Sequence, residues 1–247
     1  LLFLEMLMAK GDFAMANKFA HRILKFVLEH IRENKLIPKE KLIAQVWEDC
    51  FPAGTKDEQE LYRSIIEQHL EHILSDDQDQ PLIRMLTHDC THCSEQIGHC
   101  MEQCPVEAIS VDKNGKHFID YDLCIDCGQC LDACVSGVIV ERSDFARVAK
   151  MLIEEKQTPV YAILAPSFVG QFGDVKPEQM KSAFHEMGFT DVYEVALAAD
   201  VITGVEAGEF YRRYHNGEDF MITSCCCPAF IKLIERKRPQ LSNVVSD

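Results

Sequence analysis

The sequence predicts a multidomain protein with a helical N-terminal region, then a cysteine-rich α+β module, then an α/β lobe built on parallel strands. Three observations carry that expectation. Residues 12–75 repeat their apolar positions at helical spacing and contain no motif. Eight of the twelve cysteines fall between residues 90 and 134 in two similar runs. From residue 145 onward helical and strand patterns alternate, as in a parallel sheet covered by helices. The expected boundaries are 1–80, 81–142 and 143–247.

In the first region Phe19, Ile23, Phe26, Val27 and Ile31 form one apolar stripe, and Leu61, Ile65, Leu70, Ile73 and Leu74 form another. Thr55-Lys-Asp-Glu58 fits a capping box that opens the later helix. Pro38 suits the first turn of a helix between them, whose Leu42, Val46 and Cys50 recur every fourth residue and place Cys50 in a core. The polar run Ser75 to Pro81 reads as a boundary. No function for residues 1–80 follows from these patterns.

Composition narrows the classes. With 47% hydrophobic and 26% charged residues, the 247-residue chain has ordinary globular composition. A net charge of -15 argues against broad attraction to nucleic acid or an anionic membrane. No apolar run approaches the roughly 20 residues that a bilayer requires, so no membrane span is expected. The opening Leu1 to Met8 contains Glu5 and has no basic stretch before it, so it does not read as a signal peptide, and a cytoplasmic location is expected. The start at Leu1 and the stop at Asp247, without a terminus signal, suggest part of a longer polypeptide. Twelve cysteines without a secretory signal point to metal or redox chemistry rather than disulfides.

The eight-cysteine block is an internal repeat. Cys90-x2-Cys93-x6-Cys100-x3-Cys104-Pro105 is followed by Cys124-x2-Cys127-x2-Cys130-x3-Cys134. Between the runs, Asn114-Gly115 flanked by apolar residues signals a β-hairpin. Paired C-x2-C runs also bind structural zinc, but a doubled three-plus-one pattern with proline after the first run's fourth cysteine favours clusters. The block resembles the bacterial two-cluster ferredoxin module. That resemblance implies one [4Fe-4S] cluster on Cys90, Cys93, Cys100 and Cys134, and a second on Cys124, Cys127, Cys130 and Cys104. His92 and His99 then remain loop residues that can tune a cluster's potential through hydrogen bonds to sulfur.

In the last region Phe145, Val148 and Leu152 share a helical stripe, and the run Pro159 to Ala165 reads as a strand. Pro177 opens a helix carrying Met180, Phe184 and Met187 that stops near Gly188. A strand over 191–195, a helix through Arg213, a strand near 220–223 and a helix from Pro228 complete the alternation. Cys225, Cys226 and Cys227 fall at the turn into that last helix, where unpaired N–H groups and the helix dipole favour thiolate.

Thr223-Ser-Cys-Cys-Cys-Pro228 resembles the first cysteine motif of the [FeFe]-hydrogenases, with the ferredoxin module upstream as in that family. Ala165, Pro166 and Ser167 are similar to its segment beside the diiron site, and the stretch from Ala199 to Arg213 to its acidic helix. The third fold region is thus expected to be the incomplete α/β lobe of a hydrogenase catalytic domain. The resemblance implies reversible interconversion of protons plus electrons with dihydrogen, through an H-cluster assembled only if the missing later cysteine motifs are supplied. By itself the chain is expected to be inactive. A one-electron carrier such as a ferredoxin is the implied partner. Aligned without a gap, the resemblance implies the cluster-ligand role for Cys227 and the proton path for Cys226, Glu206 and Glu209, the preferred register because the proline after the ligand fixes the start of the helix. Anchoring on Thr223-Ser224 instead gives the proton role to Cys225 and the ligand role to Cys226. Spacings of three and four place Glu206, Glu209 and Arg213 on one helix face, which a solvated ion pair would equally explain. The alternative function is a non-catalytic electron-transfer protein or a hydrogen- or redox-sensing one.

Overall fold

The computed structural model describes residues 15–32, 38–51, 55–77, 79–88, 99–154, 158–169, 175–218, 220–223 and 225–246. Two compact units divide the chain, Leu1–Val148 and Ala149–Asp247.

The first unit begins with three helices, α1 (Met15–Arg32), α2 (Lys39–Cys50) and α3 (Lys56–Ile73). Pro38 sits at the N-cap of α2 rather than inside its first turn. Thr55 opens α3 with the expected capping box: its hydroxyl accepts from Glu58 N at 3.3 Å, while Thr55 N donates to the Glu58 carboxylate at 2.8 Å. The helices close over Phe19, Ile23, Leu42, Val46, Ile65 and Ile66, all buried. Each side chain of this size contributes about 1.5–3 kcal/mol on leaving water. Cys50 packs against this core, and burial pushes its thiol up to about 11, so it is inert.

After the helices come β1 (Ile83–Met85), α4 (His99–Glu102), β2 (Ile109–Val111), β3 (His117–Ile119), α5 (Gln129–Ala133) and β4 (Ile139–Glu141). Two antiparallel pairs result, β1 with β4 and β2 with β3, the second closed by the expected Asn114-Gly115 turn. Gly115 adopts φ 79°, and Asp112 Oδ1 accepts from Asn114 N and Lys116 N at 2.8 and 2.9 Å. The described residues of the polar run at 75–81 form no helix or strand, yet one apolar core continues past them: Ile73, Ile83, Ile109, Ile119, Val138 and Ile139 join the helical cluster. Two imidazoles of α3 reach the far side of this core. His69 Nε2 meets Gly137 O, and His72 Nε2 meets Glu141 O, each at 2.7 Å.

In the second unit α6 (Phe145–Glu154) begins before the division and ends within it. There follow β5 (Tyr161–Leu164), a 3₁₀ turn at Pro166–Phe168, α7 (Pro177–Met187), β6 (Asp191–Glu194), α8 (Val195–His215) and α9 (Pro228–Lys237). Strands β5 and β6 are parallel, with Tyr161 opposite Asp191 and Leu164 opposite Glu194. Pro177 opens α7, and Gly188 ends it at φ 106°. Where a strand is expected near 220–223, the structure has one parallel bridge, Ile222 to Val245. The chain turns at Cys225 and Cys226 toward α9, which leaves no length for a longer ladder. Among the described residues no helix is long and apolar enough to cross a membrane.

His69 is 1% exposed, and burial lowers its pKa from 6.5 to about 4, against a smaller opposing effect of the Gly137 bond. Between these values the unfolded chain binds the extra proton, so this contribution to stability is complete above 6.5 and is lost as pH falls toward 4. Calorimetry of the metal-free chain is expected to show a melting temperature that drops across this window, with a shallower drop in His69→Gln. Equal slopes in the two proteins contradict the assignment.

Candidate functional site

The cysteine module is shaped around its thiols. Cys104, Cys124, Cys127 and Cys130 line one void together with Ile83, Val106, Ile109, Ile119 and Ile125. The fourth cysteine of the first run has therefore crossed to the first three of the second. Cys124 follows a turn capped by Asp120, whose Oδ1 accepts from Asp122 N at 2.9 Å. Asp126 then takes a left-handed φ of 57°, which costs a side-chain-bearing residue of order 1 kcal/mol and turns its N–H toward Cys124 Sγ at 3.4 Å. Glu107 has φ 56° next to Ala108, whose N–H donates to Cys104 Sγ at 3.2 Å. Backbone donors aimed at sulfur are what a thiolate ligand set requires.

Burial pushes the Cys130 thiol up to about 12 and raises that of Cys124. Iron reverses that preference, because coordination removes the proton outright. Among the described residues no three histidines, cysteines or acidic groups converge tightly enough for a single metal ion. Four thiols around an apolar void fit a cubane of iron and sulfide instead. Of the other implied set, Cys134 is buried and Cys100 partly buried, both against the shared core, and Ile139 N donates to Cys134 Sγ at 3.4 Å. Cys90, Cys93 and His92 lie outside the described residues. His99 is exposed at the start of α4.

The second unit holds the other candidates. Ala165, Pro166 and Ser167 are exposed at the carboxyl end of β5, where functional groups collect in parallel sheets. Helix α8 is turned inside out. Beyond its first turn only Glu206, Glu209 and Arg213 are partly shielded, while Leu197, Val201, Val205, Phe210 and Tyr214 are more than half exposed. Glu209 and Arg213 pair with their side chains only 11% and 16% exposed. The ion pair of the alternative reading is thus present, but in a shielded rather than a fully solvated setting.

Glu206 Oε1 accepts from Ser246 Oγ at 2.9 Å, with Cys225 Sγ 3.6 Å away. Cys225 and Ser246 line a cleft with Ile234 and Val245, whereas Cys226 and Cys227 are exposed, Cys227 at the N-cap of α9. The thiol facing Glu206 in this conformation is thus Cys225, which keeps the second register in play. Sequence reasoning missed Ser246. No motif surrounds it; the bridge of Ile222 to Val245, with Ser246 N donating to Ile222 O at 2.8 Å, brings it there.

Comparison with known proteins agrees with this division. Residues 89–139 match the 4Fe-4S dicluster domain, and residues 158–247 match the iron only hydrogenase large subunit, C-terminal domain. A ferredoxin of Alicyclobacillus acidocaldarius is 35% identical over 63 residues, covering 26% of this chain and 80% of that protein. The NADP-reducing hydrogenase subunit HndD of Solidesulfovibrio fructosivorans is 28% identical over 137 residues, 50% of this chain and 23% of the relative. Iron hydrogenase 1 of Clostridium pasteurianum is 26% identical over 174 residues, 64% of this chain and 30% of the relative. The chain thus spans less than a third of the length of either hydrogenase. The cysteine module belongs to the two-cluster [4Fe-4S] ferredoxins. The chain is [FeFe]-hydrogenase-like in carrying a match to the dicluster domain ahead of a match to the large-subunit domain, while residues 1–88 lie outside both.

Anaerobic reconstitution is expected to load about eight irons and eight sulfides per chain. If the ligands cross, Cys104→Ala with Cys124→Ala leaves about half of the iron, and Cys104→Ala with Cys100→Ala leaves almost none. The opposite pattern in iron and sulfide analysis means that each run holds its own cluster.

Proposed function

We propose that this chain forms the electron-entry and proton-delivery part of an [FeFe]-hydrogenase that interconverts protons plus electrons with dihydrogen. The inverted polarity of α8 carries the reading. A helix that shields Glu206, Glu209 and Arg213 and presents valine, phenylalanine and tyrosine outward is built to keep acids inside a larger body. In the same unit β5 leaves Tyr161 and Ile163 exposed, Ile163 by 77%, and β6 leaves Tyr193. Such a face fits burial under further hydrogenase-like structure, in the same or a second polypeptide.

Eight cysteines, Cys90, Cys93, Cys100 and Cys134 with Cys104, Cys124, Cys127 and Cys130, would hold two [4Fe-4S] clusters that supply one-electron storage and transfer when bound. A one-electron carrier protein such as a ferredoxin is the matching partner. Cys227 would contribute one thiolate to an H-cluster whose remaining ligands come from further sequence, and Ala165, Pro166 and Ser167 would line it. On the chain's own side, Glu209 and Glu206 pass protons inward, Ser246 Oγ holds the Glu206 carboxylate, and the cysteine triplet receives the proton. The ungapped spacing gives the receiving role to Cys226. Contact with Glu206 supports Cys225 as the other choice.

The test is hydrogen evolution by the matured protein together with the sequence that completes its domain. Glu206→Gln and Cys226→Ser are each expected to lower kcat by at least about 100-fold with iron content unchanged. Cys227→Ser instead lowers iron content. Loss of turnover on Cys225→Ser, with Cys226→Ser active, moves the proton role to Cys225. A protein with its full iron content and no hydrogen turnover fits the electron-transfer or sensory alternative.

A further inference from the structure

The N-terminal helices have no part in the relay just described, yet beside the shared apolar core they make a buried polar contact with the turn that follows Cys134. His69, in α3, is 1% exposed and its Nε2 lies 2.7 Å from Gly137 O. Gly137 is itself buried, three residues after Cys134, at φ 73° in a turn whose N–H bonds to Cys134 O at 3.2 Å. The same turn carries Ser136, fully buried with Oγ 3.5 Å from Cys134 Sγ, and leads to Ile139, whose N–H donates to that sulfur at 3.4 Å.

We propose that His69 is a positioning residue for one of the two clusters, holding the Cys134 turn from the helical layer through the Gly137 carbonyl. The proposal rests on the two-cluster reading. An apolar side chain at this place would leave a buried carbonyl without its donor, which is costly in a low-dielectric interior. The imidazole can donate without bringing a charge, because burial keeps it neutral at neutral pH. Phe19 of α1 fixes its plane, edge to face with ring centroids 5.1 Å apart. Force passes in a short series: Phe19 to His69, His69 to the Gly137 carbonyl, and the turn to the N–H that bonds Cys134. Since N–H···S bonds stabilise the more reduced, more negative cluster, slackening the turn moves that cluster's potential to a more negative value.

His72 supplies an internal comparison. It sits one turn further along α3 and its Nε2 is also 2.7 Å from a carbonyl, that of Glu141. That carbonyl is seven residues beyond Cys134, outside the ligand turn.

The test compares His69→Gln, whose amide nitrogen can occupy the Nε2 position, with His69→Asn, whose shorter amide cannot. Both are made in the full chain, reconstituted anaerobically, and iron release to a chelator is followed beside an EPR-monitored redox titration. Asn is expected to release the iron of one cluster about tenfold faster, the size of one lost buried hydrogen bond, and to make that cluster's potential more negative. Gln and His72→Gln are expected to keep both clusters as in the wild type. Identical behaviour of Asn and Gln, or equal acceleration at both clusters, overturns the positioning role. If Asn does not fold, Phe19→Leu takes its place: a smaller acceleration at one cluster supports the role, and none overturns it. A wild-type chain that binds far fewer than about eight irons fails earlier, on the two-cluster reading itself.

Discussion

Cys104 stands beside Cys124, Cys127 and Cys130 around one apolar void, and the architecture of the first unit brings it there. The β2–β3 hairpin returns the chain from one run to the other, and β1 pairs with β4 so that the ends of the module meet. Glu107 and Asp126 accept left-handed backbone close to Cys104 and Cys124, and each is adjacent to an N–H···S bond or makes one. The apolar core takes in the N-terminal helices, so helical layer and cluster module share a single interior.

The second unit obeys a different constraint. Its parallel pair is short, and its longest helix shields acids while presenting apolar side chains outward. Within this unit the carboxylate of Glu206 is the meeting point of α8, the cysteine turn and the C-terminal segment, through Cys225 and Ser246. Two other chain segments thus reach one oxygen of α8.

Much of this was legible in the sequence. The capping box at Thr55, the hairpin at Asn114-Gly115 and the proline-opened helices at 177 and 228 are local signals, and the structure carries each of them. The place of Cys104 beside the second run was implied by the family resemblance alone, and the structure sets the four cysteines around one void. What escaped depends on distant residues meeting. A polar run at 75–81 reads as a boundary, but only packing reveals that Ile73 and Ile83 belong to one core. His69 reads as one polar position on a helix until Gly137, 68 residues later, supplies its partner. Ser246 has no motif, and a single bridge at Ile222 decides its neighbour. The inside-out character of α8 is hidden because its apolar and polar residues are both frequent; which face turns inward is set by the rest of the unit.

The most direct measurement is the EPR spectrum of the anaerobically reconstituted, fully reduced chain. Two cubane clusters held side by side by crossed cysteines give a spectrum broadened and split by interaction between two neighbouring spins. A single isolated spin per chain, or a protein that takes up zinc and no iron–sulfur cluster, contradicts the account.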